Sequence, residues 1–225
     1  MTSLKPFVSI LTPTYNRRKF ISQYLKYIRQ QDYSGRIEVL VADDGTDPVE
    51  DLLILDNRFR YFRFNEKKTL GFKRNLLAQE AKGDVLINMD DDDYYPSTRI
   101  SHAVNQLLLS DKLIAGCSHA YVLNALFEQL YEVGPFGENH ATAGTLAYVK
   151  EYIKNHSFDD DLSIGEEPSF TNNFTEPMIQ LNPLKTVLVI QHQQNTWDKS
   201  RSSKRPTKYK LKDFIKSNDN RRFYR

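Results

Sequence analysis

The hydrophobic positions of the first half follow two alternating periods. Residues 7–11 are a short apolar run closed by Thr12 and Pro13, which predicts a buried strand running into a turn. In residues 17–31 the apolar side chains Phe20, Ile21, Tyr24, Leu25 and Ile28 recur at helical spacing, with Lys and Arg opposite, and predict an amphipathic helix. Residues 37–42 predict a second strand that ends on Asp43-Asp44-Gly45. Asp47, Pro48 and Glu50 then supply an N-cap, a first-turn proline and an early acid for a short helix through Leu55. Residues 61–64 predict a third strand, and 72–82 a helix stopped by Gly83. Residues 85–89 predict a fourth strand, ending on Asp90-Asp91-Asp92-Asp93. Ser97 is placed to cap the next helix, whose stripe is Ile100, Val104, Leu107 and Leu108. Strand and helix alternate throughout, which predicts an α/β fold with a mostly parallel central sheet flanked by helices.

After Leu113 the alternation stops. Strand-like segments at 114–117, 120–123 and 126–133 precede a loop over 134–144 rich in Gly, Pro and His. A helix is expected near Glu166 and a last strand over 186–190. The expected organisation is a main domain over 1–197, in two halves of about 1–112 and 113–197, and a tail over 198–225.

Charge changes this picture only when it is divided. The whole chain has 31 Lys and Arg against 29 Asp and Glu, net +2, which argues against a nucleic-acid binder. Yet residues 198–225 hold 11 basic and 3 acidic side chains, net +8, and the rest holds 20 and 26, net −6. Leu211, Phe214 and Ile215 stand at i, i+3, i+4, so residues 208–217 predict a short helix with a basic face. Peripheral contact with an anionic membrane, or closure over a diphosphate, would suit it. The single cysteine, Cys117, excludes an internal disulfide framework and a multi-cysteine metal site. No uncharged apolar run reaches about 18–20 residues, and the N-terminus lacks a signal-peptide pattern. The expectation is a soluble protein of a reducing compartment, such as the cytoplasm.

In an open parallel α/β sheet, ligands bind beyond the carboxyl ends of the strands. Three polar clusters fall at such ends: residues 12–17, residues 43–45 and residues 90–93. Four consecutive aspartates repel one another unless a cation neutralises them. All-oxygen donors favour a hard cation such as Mg2+ or Mn2+, which commonly carries a diphosphate. Lys73 and Arg74 open the helix that precedes the aspartate strand, where they would also meet a diphosphate.

The ordered set Pro13-Thr14-Tyr15-Asn16-Arg17, Val41-Ala42-Asp43-Asp44-Gly45-Thr46, Gly71-Phe72-Lys73-Arg74-Asn75 and Asn88-Met89-Asp90-Asp91-Asp92-Asp93 resembles the family-2 glycosyltransferases of GT-A fold. The resemblance implies a metal-dependent enzyme that moves a sugar from a nucleoside diphosphate, a UDP-sugar in the first instance, to an acceptor hydroxyl with inversion. It implies that Pro13, Thr14 and Tyr15 line the nucleoside pocket, that Asp43 meets the base, and that Arg17, Lys73 and Arg74 lie near the nucleotide. Asp90 and Asp92 match the outer positions of an Asp-x-Asp motif, with Asp92 as metal ligand. Because all four positions are Asp, Asp91 stays open as the alternative. Gly165-Glu166-Glu167-Pro168 is similar to the family's late acidic motif, with Glu167 in the place of the catalytic base and Glu166 beside it. His192, after the last strand, resembles a late histidine of the metal shell. His140 and Gly144 fall on the acceptor side; Trp197 reads as a buried or rim side chain, with acceptor stacking as the alternative. A GT-A protein with retaining transfer, or a non-catalytic module that binds a glycan or a cation, stays open as an alternative.

Overall fold

The computed structural model describes residues 5–195 and 204–224. Strand β1 (Val8–Thr14) leads to helix α1 (Arg18–Arg29), and β2 (Ile37–Asp43) to the short α2 (Glu50–Leu53). Then come β3 (Phe59–Arg63), α3 (Leu70–Glu80), β4 (Val85–Asn88) and α4 (Arg99–Leu108). The second half adds β5 (Ile114–Gly116), β6 (Ala120–Asn124), β7 (Gln129–Val133), β8 (Ala147–Val149), the one-turn α5 (Glu167–Phe170), β9 (Ile179–Gln180) and β10 (Leu188–Gln191). A two-residue β11 (Arg205–Pro206), a one-turn α6 (Leu211–Phe214) and α7 (Asn218–Phe223) complete it.

The larger sheet has the order β3-β2-β1-β4-β8-β5-β9. Its first four strands are mutually parallel, whereas β8 runs antiparallel to both β4 and β5. Every residue of β1 is buried. Period-two alternation sends Val8, Ile10, Val39, Val41, Val85 and Ile87 into a core shared with α1 and α4. The intervening Leu11, Leu40 and Leu86 enter a second core with Leu77 and Ala78 of α3 and the aromatic Tyr148, Tyr152, Phe158 and Phe170. Burial on both faces explains why these strands read as unbroken apolar runs. In register, Thr14 stands opposite Asp43 and Leu11 opposite Asn88, so the polar clusters after β1, β2 and β4 share one edge.

A second sheet, β10-β6-β7-β11, closes over that edge. The residues after β4 are stitched to it: Tyr94 and Leu188 exchange backbone hydrogen bonds of 3.1 and 2.9 Å, and Ile190 N donates to Asp93 Oδ1 at 2.7 Å.

Several local expectations are corrected. Asp47 does not cap α2, whose N-cap is Val49; its carboxylate instead takes Arg18 at 2.9 Å. Ser97 does not cap α4. Thr98 holds the cap position without a side-chain bond, and Gln31 Oε1 accepts Ile100 N from outside the helix. Helix α3 ends at an extended Ala81, before Gly83. That glycine is required by proximity, since a Cβ there would lie 2.6 Å from Ser9 N. The helix near Glu166 is a single turn, followed by positive φ at Asn172, Asn173 and Phe174.

The short helix expected over 208–217 is the single turn α6, and a second helix, α7, follows it. Phe214, Ile215 and Tyr224 are buried in the main core, so the apolar spacing recognised in the sequence marks a docking face. Trp197 and the boundary at 197/198 lie outside the described residues. Among the described residues, no helix is long and apolar enough to cross a membrane.

Candidate active site

A cleft of about 710 Å³ opens along the shared strand edge, between the two sheets. Of the described residues expected to form the site, all but Asp43 and His192 line it.

The four aspartates have four different settings. Asp90 Oδ1 accepts from Arg74 Nη2 at 3.1 Å. Asp91 is buried, with Arg17 Nε 3.9 Å from its Oδ1 and no hydrogen-bond partner for Oδ2 among the described residues. Burial, reinforced by the neighbouring Asp92, raises the Asp91 carboxyl well above the usual carboxylate range. Asp92 Oδ2 lies 3.4 Å from Arg17 Nη2 and accepts from His192 Nε2 at 2.9 Å and Asn195 Nδ2 at 3.4 Å. Asp93 serves the fold, through Ile190 N. Protein cations therefore already offset part of the repulsion that the four-Asp run implies.

The cations reach the site from the turn after β1 and from the first turn of α3. Lys73 Nζ is buried against Asp44 Oδ1 at 2.7 Å and the Thr14 carbonyl at 3.0 Å. Burial lowers its pKa, with Asp44 opposing. Arg74 is 2% exposed and bridges two clusters: Nη2 holds Asp90 and Nε donates to Glu166 Oε1 at 3.2 Å. Burial alone would weaken its hold on the proton, but Asp90 and Glu166 raise its pKa above the ordinary value. Arg74 Nη1 is buried and has no partner among the described residues.

Glu166 and Glu167 open α5 directly after Gly165, whose φ is +72°. Burial raises the Glu166 carboxyl above its usual range, with Arg74 opposing. Glu167 is half-buried and its Oε1 accepts from Ala143 N at 3.0 Å. The same segment brings Gly144 against the acid loop, where a Cβ would lie 2.7 Å from Asp90 Oδ2. The remaining wall is apolar and includes Val122, Tyr131, Val133, Val189 and a half-exposed Phe136, with His140 beside Phe136 at 4.9 Å.

Asp43 is not in the cleft. It is fully buried, its Oδ1 accepting from Gly45 N at 2.8 Å and its Oδ2 from Tyr61 Oη at 2.7 Å and Val49 N at 3.1 Å. Its carboxylate accepts three hydrogen bonds that brace the turn after β2. His192 stands behind Asp92, its Nδ1 accepting from Gln194 N at 3.1 Å while Nε2 faces Asp92. Tyr15 is 37% exposed, with Lys67 Nζ 4.6 Å from its ring centroid.

Two cleft residues escaped the sequence reading. Asn16 adopts φ 53° and its Oδ1 gathers Thr46 N, Thr46 Oγ1 and Asp47 N, tying the turn after β1 to that after β2. Its place after Pro-Thr-Tyr was a turn signal. Asn195 approaches Asp92 from beyond β10, and nothing in the sequence near it marks that contact.

The donor set suits a hard divalent cation: carboxylate oxygens, one of them the buried, unpartnered Oδ2 of Asp91, with one imidazole behind. Among the described residues, no three acidic, His or Cys side chains form a group that would hold an ion by themselves. Such an ion would complete its shell with water and phosphate, as Mg2+ usually does.

The sequence model of glycosyl transferase family 2 matches residues 9–164, more than half of the chain. The chain belongs to glycosyl transferase family 2. Among the relatives of this family-2 chain is the GalNAc(5)-diNAcBac-PP-undecaprenol beta-1,3-glucosyltransferase of Campylobacter jejuni. It is 29% identical over 130 residues, 55% of this chain and 40% of that protein. The chain thus spans about two fifths of the length of the curated relatives it matches. Among solved structures, S. aureus TarS 1–349 in complex with UDP-GlcNAc superposes with a TM-score of 0.66 at 19% identity, over 84% of this chain and 59% of that one. A mannosyltransferase from Pyrobaculum calidifontis in complex with GDP-Man and Mn2+ gives 0.64 at 18% identity, over 83% and 57%. The fold of this family-2 chain is GT-A, mostly parallel in its larger sheet as the strand pattern predicts.

Proposed function

We propose that this chain transfers a sugar from a nucleoside diphosphate to an acceptor hydroxyl, with inversion at the anomeric carbon. The observation that carries the reading is the meeting of two acidic groups in one cleft, joined through Arg74: the aspartates with Arg17 and Lys73, and Glu166 with Glu167. A diphosphate suits the first group, because buried, charged donors bind phosphate oxygens strongly. The unpartnered Arg74 Nη1 is one such donor. Pro13, Thr14 and the exposed ring of Tyr15 would receive the nucleoside, with Asp43 shaping the turn beside it. A UDP-sugar is the favoured donor, on the likeness to the UDP-GlcNAc complex of TarS.

Glu167 is the proposed base. It takes the proton from the acceptor oxygen as that oxygen bonds to the anomeric carbon, while the carbon–oxygen bond to the diphosphate breaks on the opposite face and its electron pair leaves with the diphosphate. Glu166, fixed by Arg74, positions Glu167 and adds local negative charge that favours proton uptake. The apolar wall with Phe136 would seat the acceptor. Asp92, with Asp90 or Asp91 and with His192 behind, would hold Mn2+ or Mg2+, whose chemistry is to neutralise the diphosphate charge. The exposed Lys208, Lys210, Lys212 and Lys216 would let the protein rest against an anionic membrane surface.

The test is thermal unfolding with UDP or GDP, with and without Mn2+. At a hundredfold excess over Kd, binding adds about 2.7 kcal/mol, or roughly 5–10 °C for a chain of this size. UDP with Mn2+ should give the largest rise. If neither nucleotide moves the transition at millimolar concentration, the donor reading fails.

A further inference from the structure

Residues 205–224 lie beyond the family match, which ends at residue 164, yet they reach the back of the acid loop. Their attachment begins with burial: Ile215 is fully buried, and Phe214 and Tyr224 nearly so. A polar pair then defines the docking. Gln23 Nε2 of α1 donates to Asn220 Oδ1 of α7 at 2.9 Å, with both side chains buried. Either group would be costly to bury alone, so the pair selects one seat for α7.

From that seat the segment touches two consecutive residues of the loop and reaches a third through packed rings. Tyr27 Oη and Tyr224 Oη are hydrogen-bonded at 2.9 Å, and Tyr224 Oη donates onward to the Asp93 carbonyl at 3.3 Å. Tyr94 Oη donates to the Phe214 carbonyl at 3.0 Å. Phe223 meets the Phe20 ring edge-on at 6.0 Å, and Phe20 packs at 4.7 Å on His192, whose Nε2 holds Asp92. Asp93 and Tyr94 are therefore held directly, and Asp92 through two rings.

We propose that α7 with Tyr224 is a strut that sets the position of the acid loop, and that Tyr224 is a positioning residue for the nucleotide-sugar donor. Tyr224 does not itself line the cleft. It acts through the Asp93 carbonyl, one peptide from Asp92. The kinetic consequence rests on the proposed donor binding; the coupling between α7 and the loop does not.

Tyr224→Phe keeps the ring and removes only the hydroxyl. It should raise the donor KM about fivefold, the value of one net hydrogen bond, leave the acceptor KM unchanged and lower the melting temperature by only about 2–4 °C. Amide exchange at residues 91–94 should quicken by a similar factor while that of β1 and β2 stays fixed. Tyr27→Phe, one bond further out, should show the same pattern more weakly. An unchanged exchange rate at residues 91–94 overturns the strut. So does a rise spread evenly over the sheet, because it reports general loosening. If the unmodified chain binds no nucleotide, the donor reading fails and the exchange measurement still decides the coupling.

Discussion

The two acidic clusters of the cleft are held in opposite ways. The aspartates follow β4, a strand buried on both faces, and they are fixed by Arg17, Arg74, His192 and the backbone of β10. The glutamates ride on one helical turn between a positive-φ glycine and a run of positive-φ residues, and they are fixed by Arg74 and by Ala143 N. A strand end supplies position by itself. A one-turn helix must borrow it, and here it borrows from the aspartate loop through Arg74. The difference matches the tasks proposed: binding a charged leaving group tolerates fixed partners, whereas a base needs an oxygen free to take a proton.

The comparison breaks most visibly at Arg74. Arg74→Met leaves Glu166 buried without its cation and Asp90 without its partner. Removing one member of a buried ionic group typically costs about 3–5 kcal/mol, which should lower the melting temperature by roughly 10 °C. A change of less than a degree would show that the two clusters are independent. Next, Glu167→Gln should lower the transfer rate by about 10²–10⁴ while nucleotide binding and melting temperature hold, measured by transfer assay and thermal shift. Substantial retained transfer would move the base elsewhere.

The smallest effect, and the sharpest in sign, is at Asp91. Its carboxyl is raised in the folded chain, so the folded state binds that proton more tightly than the unfolded state does. Its contribution to stability is therefore full below the ordinary carboxylate range and is lost as pH rises through the raised value. Glu166 has the same sign. Without divalent cation, Asp91→Asn should melt a few degrees above the unmodified chain at pH 8, with the gap closing towards pH 4. A gap independent of pH would remove Asp91 as a strained acid.

The β1–α4 half was legible because each element carries its own signal: an apolar run of strand length, a helical stripe, a polar cluster at the strand end. The strand ends converge as the parallel pattern requires. What stayed hidden depends on distant partners. Strand β8 has only three residues and gains its identity from β4 and β5. Asp43 looked like a ligand residue until Tyr61 and the amides of Gly45 and Val49 were seen to take both its oxygens. The spacing of Leu211, Phe214 and Ile215 shows an apolar face, but its use depends on Tyr94 and Tyr121, about 90 to 120 residues earlier. Arg74 was read as a cation near a nucleotide; its link to Glu166 spans the molecule's two halves and has no local signature.

Gly144 touches Asp90 with no room for a single added carbon. For protein engineering, this makes residue 144 a remote adjustment screw. A small side chain there would displace Asp90 while leaving every charged group of the cleft chemically intact. On the proposed function, donor preference would be open to tuning from residue 144, by volume alone.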